Sequence, residues 1–195
     1  MGKIVCSMES LDTPFNFQYP TGVTIITSRD GDRDNAMAVA WQMAISRIPA
    51  LYGICISPKR FTHGLISASG EFVVNFMPYE QGRTVARVAG CSGYNMAKIE
   101  TFNIPTQPGS EVGSPVLTDA FASYECRVIG KHQYGDHDLF VGQVLVVHYD
   151  PAQFLTDGRL NREQVKPIVY LGRDWYASTD AMVRLDRDDN LTDLK

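Results

Sequence analysis

A serine, an arginine and a threonine lie at the predicted start of a short helix, in a spacing that suits an anion. Ser57 precedes a proline, and Arg60 and Thr62 follow within the first turn. Serine commonly caps helices and proline fits the first helical position, so residues 58–69 are predicted as a helix. Unpaired N–H groups at a helix N-terminus attract phosphate, and a guanidinium and a hydroxyl add further donors. An ordinary capped helix with solvated charges is the open alternative.

His137 lies in residues 134–138, a tight sequence that predicts a hairpin turn. Histidine changes its charge near physiological pH, so a histidine projecting from this turn into a pocket can orient a donor or relay a proton. The alternative is that Asp136 and His137 merely serve the turn, because turns favour such polar residues. His137 is therefore a candidate catalytic residue.

The segments that must position these residues are predicted to be mostly β-strands. Runs of β-branched and apolar residues between turn signals predict strands at residues 22–28, 36–45, 51–57, 71–76, 122–133, 139–149, 165–171 and 175–178. A second helix is predicted at 81–89, a turn at 90–98 and a surface loop at 101–115, while the charged tail 185–195 is expected to fray. Because turns join most consecutive strands, an all-β antiparallel barrel with two or three short helices is favoured over a parallel sheet.

Length, composition and charge narrow the class of protein. At 195 residues with 44% hydrophobic content, residues 1–195 are expected to form one domain with its core at about 19–178. The net charge is −4 and the basic residues are scattered, which disfavours a nucleic-acid partner. No apolar run reaches the roughly 18 residues of a membrane span, and the N-terminal residues do not resemble a secretory signal. A cytoplasmic protein is expected.

Motifs for several common chemistries are missing from the sequence. It contains no glycine-rich dinucleotide fingerprint, no phosphate loop and no zinc-protease motif, and its four cysteines form no C-x-x-C pair. No metal site is therefore expected. Cys55 and Cys126 lie in apolar runs and are expected to be buried, while His148 is expected to be a satisfied structural histidine.

Five segments, in order, resemble the flavin reductase-like family of FMN-binding split barrels, and within it the flavoredoxin branch. The first contains YPTGVTIITS and NAMAVAWQMAIS, and the other four are SPKRFTHGLISASGEFVVNF, CSGYNMAKIETF, YGDHDLFVGQV and KPIVYLGRDWY, so that the resemblance runs from Tyr19 to Tyr176. Any one would be weak evidence, but their order and separations make the resemblance strong. The fold implied is an FMN-binding split β-barrel of Greek-key type.

The resemblance also implies roles for individual residues. The helix start with Ser57, Arg60 and Thr62 would hold the FMN phosphate. The strand beginning at Asn35 would run beside the flavin ring, with backbone groups of Val39, Ala40 and Trp41 pairing with the polar edge of the ring. Trp41 is otherwise a core tryptophan. Three more side chains would lie beside the ring: Lys98, His137 and Tyr170. The lysine would stabilise the negative charge of the reduced flavin.

The function implied by the resemblance is electron transfer through FMN in a homodimer. NAD(P)H would be the donor, and a free flavin, a metal complex or a protein partner the acceptor. Two alternatives remain open. One is a flavoredoxin-type carrier that holds FMN tightly and does not oxidise NAD(P)H directly, and the other is a flavin-binding module with no redox role.

Overall fold

The computed structural model describes residues 2–10 and 17–179. The predicted frayed tail at 185–195 lies outside the described residues. The assignment of residues 1–195 to a single domain stays a prediction.

Short strands and three α-helices make up the described part of the chain. The strands are β1 (Thr21–Gly22), β2 (Thr24–Asp30), β3 (Arg33–Val39), β4 (Gln42–Arg47), β5 (Ala50–Ile56), β6 (Glu71–Phe76), β7 (Thr106–Gln107), β8 (Val116–Leu117), β9 (Ala122–Tyr134), β10 (His137–Tyr149), β11 (Val169–Gly172) and β12 (Trp175–Ala177). The helices are α1 (Phe61–Ser69), α2 (Gly82–Ala89) and α3 (Lys98–Thr101). Seven of the strands form one antiparallel sheet in the order β3-β2-β6-β9-β10-β5-β4.

The connection between β3 and β4 forces this sheet to curl. These two strands lie at opposite edges of the sheet, yet only Ala40 and Trp41 separate them along the chain. A flat seven-stranded sheet would hold its edges about 29 Å apart, whereas a two-residue link reaches about 11 Å. The sheet therefore closes on itself as a barrel with a seam between β3 and β4. The Cys55 N–H donates to the Trp41 carbonyl at 2.9 Å, which extends the β4–β5 pairing into the link.

Apolar side chains fill the barrel and also cover one outer face of it. The interior cluster draws residues from β2, β3, β5, β6, β9 and β10 and from α1, among them Ile26, Ile54, Phe72 and Phe140. A second cluster lies outside β2 and β3, where α2 and the β11 region pack. Alternate residues of β2, such as Ile25 and Ile26, enter different clusters because successive side chains of a strand point to opposite faces.

The predicted fold class is confirmed: the protein is an all-β split barrel with antiparallel strands and three short helices. The single strand predicted at 36–45 is wrong, since the chain crosses between the edges at Ala40 and Trp41 and forms two strands. The loop predicted at 101–115 is wrong in part, because it contains β7, which pairs with β8. His137 begins β10 and is not a turn residue, and the two-residue turn is Gly135-Asp136.

A buried carboxylate fastens the loop that precedes β8. Glu125 on β9 is fully buried, and its oxygens accept the backbone N–H groups of Ser110, Glu111 and Val112 and a bond from His148. Burial alone would raise the pKa of Glu125, but these hydrogen bonds outweigh it and lower the pKa. His148 is thus a satisfied structural histidine, as expected from the sequence.

Replacing Glu125 by glutamine is expected to cost about 2–3 kcal/mol of unfolding free energy at neutral pH, since three N–H donors lose a charged acceptor. The folded-state pKa lies below the unfolded one, so this stabilisation is present above about pH 4.3 and is lost as the pH falls further. Urea unfolding of Glu125→Gln and of wild type at pH 7 and in acid measures both effects. Glu111→Gln, the same change at an exposed side chain of that loop, is the control. Equal stability of the two variants at pH 7 would contradict the role of Glu125.

Candidate functional site

A small cavity lies between β3, the start of α1 and the end of α2. Its volume is about 120 Å³, and its polar lining is Asn35, Arg60, Thr62, Cys91, Ser92 and Lys98. This space is called the Arg60 cavity below. Two of its lining residues are cations, and none of the described lining residues is a carboxylate. Such a lining favours an anion.

Asn35 on β3 is 2% exposed and shows what kind of ligand the Arg60 cavity suits. Its amide nitrogen donates to the Thr62 hydroxyl at 2.7 Å, which ties β3 to the first turn of α1. Its amide oxygen is buried and has no hydrogen-bond partner in the structure. Buried polar atoms are rarely left unpaired, so this oxygen favours a ligand that brings a hydrogen-bond donor.

Lys98, the first residue of α3, is buried beside the same cavity. It is 3% exposed, and its ammonium donates to the Val88 carbonyl at 2.9 Å. Burial lowers the pKa of Lys98, and the nearby Arg60 lowers it further, while Cys91 acts in the opposite direction. An anion bound between Lys98 and Arg60 would stabilise the ammonium and so counteract this lowering of the Lys98 pKa. The structure therefore groups Lys98 with Arg60 and Thr62.

The start of α1 differs from the sequence expectation. The helix begins at Phe61, with Arg60 in the N-cap position, and no side chain caps it. Ser57 is therefore not the cap, because residues 57–60 form a separate turn in which the Ser57 carbonyl accepts the Arg60 N–H at 2.9 Å. Ser57 lies outside the lining of the Arg60 cavity, whereas Arg60 and Thr62 belong to it.

A second cavity, of about 300 Å³, lies at the seam of the barrel. Its lining includes Ala40, Trp41 and Met43 from the β3–β4 connection and Gly53 and Cys55 from β5, and it is called the Trp41 cavity below. Val39 points into the core and is 4% exposed. The backbone between the two cavities is β3, which pairs with β2 alone among the described strands and so offers its other edge to a ligand.

His137 stands against Trp41 at the seam. The two rings lie 4.7 Å apart between centroids, and the His137 Nδ1 lies 2.8 Å from a carboxylate oxygen of Asp136. The hydrogen bond from His137 lowers the pKa of Asp136, so the carboxylate accepts and the Nδ1–H donates. This leaves Nε2 as the ring atom available for a proton or a ligand.

A buried pair joins the two ends of the site. His63, in the first turn of α1, lies 2.8 Å from the carboxylate of Asp138, which follows His137 on β10. Both residues are less than one-tenth exposed. The hydrogen bond from His63 is the main cause that lowers the pKa of Asp138, and Lys131 adds an ion pair at 3.2 Å. The helix start and the strand that carries His137 are thus held together.

Tyr170 on β11 lines neither cavity, although its strand partner Thr21 lines the Trp41 cavity. Its ring packs against Tyr19 at 5.0 Å and Tyr176 at 5.3 Å, and it adjoins the outer apolar cluster. The structure therefore brings Asn35, Arg60, Thr62 and Lys98 to one cavity and Ala40 and Trp41 to the other, with His137 against the Trp41 ring. The proposed ligand roles of all the sequence-predicted residues stay predictions.

Several lining residues were missed by the sequence analysis. In the Arg60 cavity they are Phe61, Cys91, Ser92 and Gly93, and in the Trp41 cavity Gln42, Met43 and Cys55. Gly93 carried a signal: a Cβ there would lie 2.3 Å from the Phe61 ring and 2.6 Å from the Asn35 amide oxygen, so the turn accepts glycine alone. The other missed residues gave no such signal, because their side chains are common on any protein surface.

The described ranges hold neither a cluster of metal-ligating side chains nor a membrane-spanning helix. Residues 2–10 and 17–179 contain no group of three or more His, Cys, Asp or Glu side chains arranged to hold a metal ion. Within the same ranges no helix is long and apolar enough to cross a membrane.

This chain has relatives by sequence in Pyrococcus abyssi and Streptomyces globisporus. The chain is 36% identical over 140 residues to an uncharacterized protein of Pyrococcus abyssi, covering 72% of this chain and 80% of that protein. It is 27% identical over 148 residues to an NADH-dependent FAD reductase of Streptomyces globisporus, covering 74% of this chain and 80% of that protein.

Two solved structures share the fold over nearly the whole chain. An FMN-binding protein from Thermus thermophilus, with bound cyclohexenone, superposes with a TM-score of 0.85 at 30% identity and covers 95% of this chain and 100% of its own. Flavoredoxin from Methanosarcina acetivorans has a TM-score of 0.83 at 19% identity, with 98% and 99% coverage, a likeness of fold alone. The model of the flavin reductase like domain matches residues 17–176. This chain, with its split barrel and its cationic cavity beside an open strand edge, belongs to the flavin reductase-like family.

Proposed function

We propose that the protein is an FMN-dependent oxidoreductase whose flavin lies along the open edge of β3, with its phosphate in the Arg60 cavity and its ring at the seam beside Trp41. The observation that carries this proposal is the pairing of two uncompensated cations, Arg60 and Lys98, with the unpartnered Asn35 oxygen in one cavity. A phosphate would neutralise the two cations, and a hydroxyl of a sugar-like chain would donate a hydrogen bond to the Asn35 oxygen.

The residues of this chain have separate tasks in the proposal. Arg60, Thr62 and Lys98 hold the phosphate, and Asn35 accepts a hydrogen bond from the chain that links phosphate and ring. Backbone groups at Val39 and Ala40 are available to the polar edge of the ring, whereas the Trp41 carbonyl already accepts the Cys55 N–H. Bound FMN supplies a redox centre that accepts and releases two electrons.

His137 is the proposed proton-transferring residue. Asp136 fixes its Nδ1–H, and the contact with Trp41 fixes the ring, so that Nε2 can give or take a proton at the edge of a bound ring or substrate. NAD(P)H is the proposed electron donor. The acceptor is a free flavin, a metal complex or a redox protein, and the relative that reduces FAD with NADH supports the first of these.

A homodimer is proposed from the exposed face of β4. This edge strand leaves Met43 at 52% and Ile45 at 42% exposure, and Ile48 in the following turn at 94%. Exposed apolar edge strands are normally covered by another chain or element. Met43 also lines the Trp41 cavity, so a second copy on this face would complete the ring end of the site.

The phosphate placement is tested with FMN and riboflavin, which lacks the phosphate. Lys98→Gln is expected to weaken FMN binding about 10- to 100-fold, the value of one charge-assisted hydrogen bond, and to leave riboflavin binding nearly unchanged. Flavin fluorescence quenching measures both affinities. Lys59→Gln, the same change at an exposed lysine outside the cavity lining, is the control, and thermal unfolding checks that both variants fold. An equal loss for riboflavin would place Lys98 at the ring, and no binding of FMN by wild type would refute the proposal.

The electron donor is tested by stopped-flow mixing of the FMN-loaded protein with NADH and NADPH. One of them is expected to bleach the flavin absorbance, and His137→Asn is expected to slow the proton-coupled step by about 10²-fold or more, as for loss of a general acid or base. His132→Asn on the neighbouring strand is the matched control. If neither nicotinamide reduces the flavin, the reductase proposal fails and the alternatives of a carrier and of a flavin-binding module without a redox role remain.

The dimer is tested by light scattering after size-exclusion chromatography. Wild type is expected to have twice the mass of the chain, and Ile45→Lys is expected to give a monomer because an ammonium cannot be buried unpaired at the interface. Ile129→Lys, at an isoleucine on β9 that is 55% exposed, is expected to stay dimeric. A monomeric wild type, or monomers from both variants, would contradict the proposed face.

A further inference from the structure

We propose that Cys91 is a modification site, at which a hydroperoxide oxidises the thiol and the oxidised sulfur excludes the flavin phosphate from the Arg60 cavity. The proposal rests on the proposed function for the identity of the excluded group. The reactivity of the thiol follows from the geometry of this chain alone.

Cys91 lies where the end of α2 meets the cavity. It follows the C-cap residue Gly90, is partly exposed, and its thiol donates to the Arg87 carbonyl at 3.3 Å. Arg60 and Lys98 line the same cavity. The sulfur is thus open to a small reagent while it stands in a cationic environment.

Cys91 shares its cavity with two cationic side chains, Arg60 and Lys98. The Lys98 ammonium is buried with a backbone carbonyl as its hydrogen-bond acceptor, and the described lining of the cavity offers it no carboxylate. Thiolates beside lysine or arginine are the reactive form of cysteine toward peroxides and alkylating reagents.

The unpartnered Asn35 oxygen shows independently that this cavity takes a ligand. That oxygen is buried on a residue that lines the cavity, and no group of the described chain donates to it. The phosphate-bearing ligand and a modified Cys91 therefore compete for one space.

The turn that carries Cys91 is packed closely against neighbouring side chains at Gly93. A single added carbon at Gly93 would lie 2.3 Å from the Phe61 ring and 2.6 Å from the Asn35 oxygen. The cavity itself holds about 120 Å³. An oxygen or a larger group added to the sulfur on its cavity side would occupy the cavity or push apart the residues that hold the phosphate.

The other three cysteines provide internal comparisons. Cys126 is fully buried, and burial raises its pKa to about 12. Burial also raises the pKa of Cys55. Cys6 is exposed and lines neither cavity. Cys91 is thus the cysteine that combines solvent access with the cationic lining.

The chemistry balances with hydrogen peroxide as the oxidant. The Cys91 thiolate attacks one peroxide oxygen, a sulfur–oxygen bond forms and the oxygen–oxygen bond breaks. The departing hydroxide takes a proton from solvent to become water. The sulfur loses two electrons to give a sulfenic acid and the peroxide gains them, and a thiol such as dithiothreitol restores the cysteine.

The first experiment measures alkylation of the full chain by iodoacetamide, followed by peptide mass spectrometry. In flavin-free protein Cys91 is expected to react about tenfold faster than Cys6, and Lys98→Gln is expected to remove most of that difference. Saturating FMN is expected to protect Cys91 and not Cys6. Equal rates at the two cysteines in flavin-free protein would overturn the proposed reactivity.

The second experiment treats the flavin-free protein with hydrogen peroxide and then titrates it with FMN. Treated wild type is expected to bind FMN at least tenfold more weakly than untreated protein, with recovery after dithiothreitol, since a blocked phosphate site loses about one or more charge-assisted hydrogen bonds. Cys91→Ser is expected to bind FMN equally before and after treatment. An equal loss in Cys91→Ser would overturn the proposal.

These outcomes separate the two proposals. If untreated wild type fails to bind FMN, the proposed function fails, while the alkylation rates of flavin-free protein still decide the reactivity of Cys91. If FMN binds and leaves Cys91 unprotected, the flavin assignment stands and the exclusion of phosphate by modified Cys91 is refuted.

Discussion

The whole site depends on the length of one connection. Ala40 and Trp41 join strands at opposite edges of a seven-stranded sheet, and so short a link exists only if those edges meet. Closure by a peptide link, whose Trp41 carbonyl is already bonded to the Cys55 N–H of β5, leaves the edge of β3 without a strand partner in the described chain. The barrel is therefore split by its own connectivity, and the split is where a flat ligand can add to the sheet.

The rest of the chain supplies the chemistry that a bare strand edge lacks. Helix α1 presents Arg60 and Thr62 at one end of β3, α3 adds the buried Lys98, and the β9–β10 hairpin brings His137 to the other end. Charge is concentrated at one end and aromatic surface at the other. This polarity matches a molecule with an ionic head and a flat redox ring, and it supports the proposed orientation of FMN.

The sequence predicted the strands with turn residues between them, such as the hairpin at Gly135, because local turn chemistry marks their ends. It missed the break at Ala40 and Trp41, since an uninterrupted apolar run carries no local mark of a change of sheet edge. It also placed the helix cap at Ser57, where proline and serine suggested it, while tertiary packing starts the helix at Phe61. The grouping of Lys98 with Arg60 depends on the path of a long loop and has no periodic signal.

The pair formed by His63 and Asp138 has a consequence for how the site fills. It fixes the start of α1 to the strand beside His137, with less than one-tenth of either residue exposed. The two walls of the proposed site are thus joined by a buried hydrogen bond before any ligand arrives. For a flavin bound as proposed, this predicts entry into a preformed groove, with the field of the two cations raising the association rate.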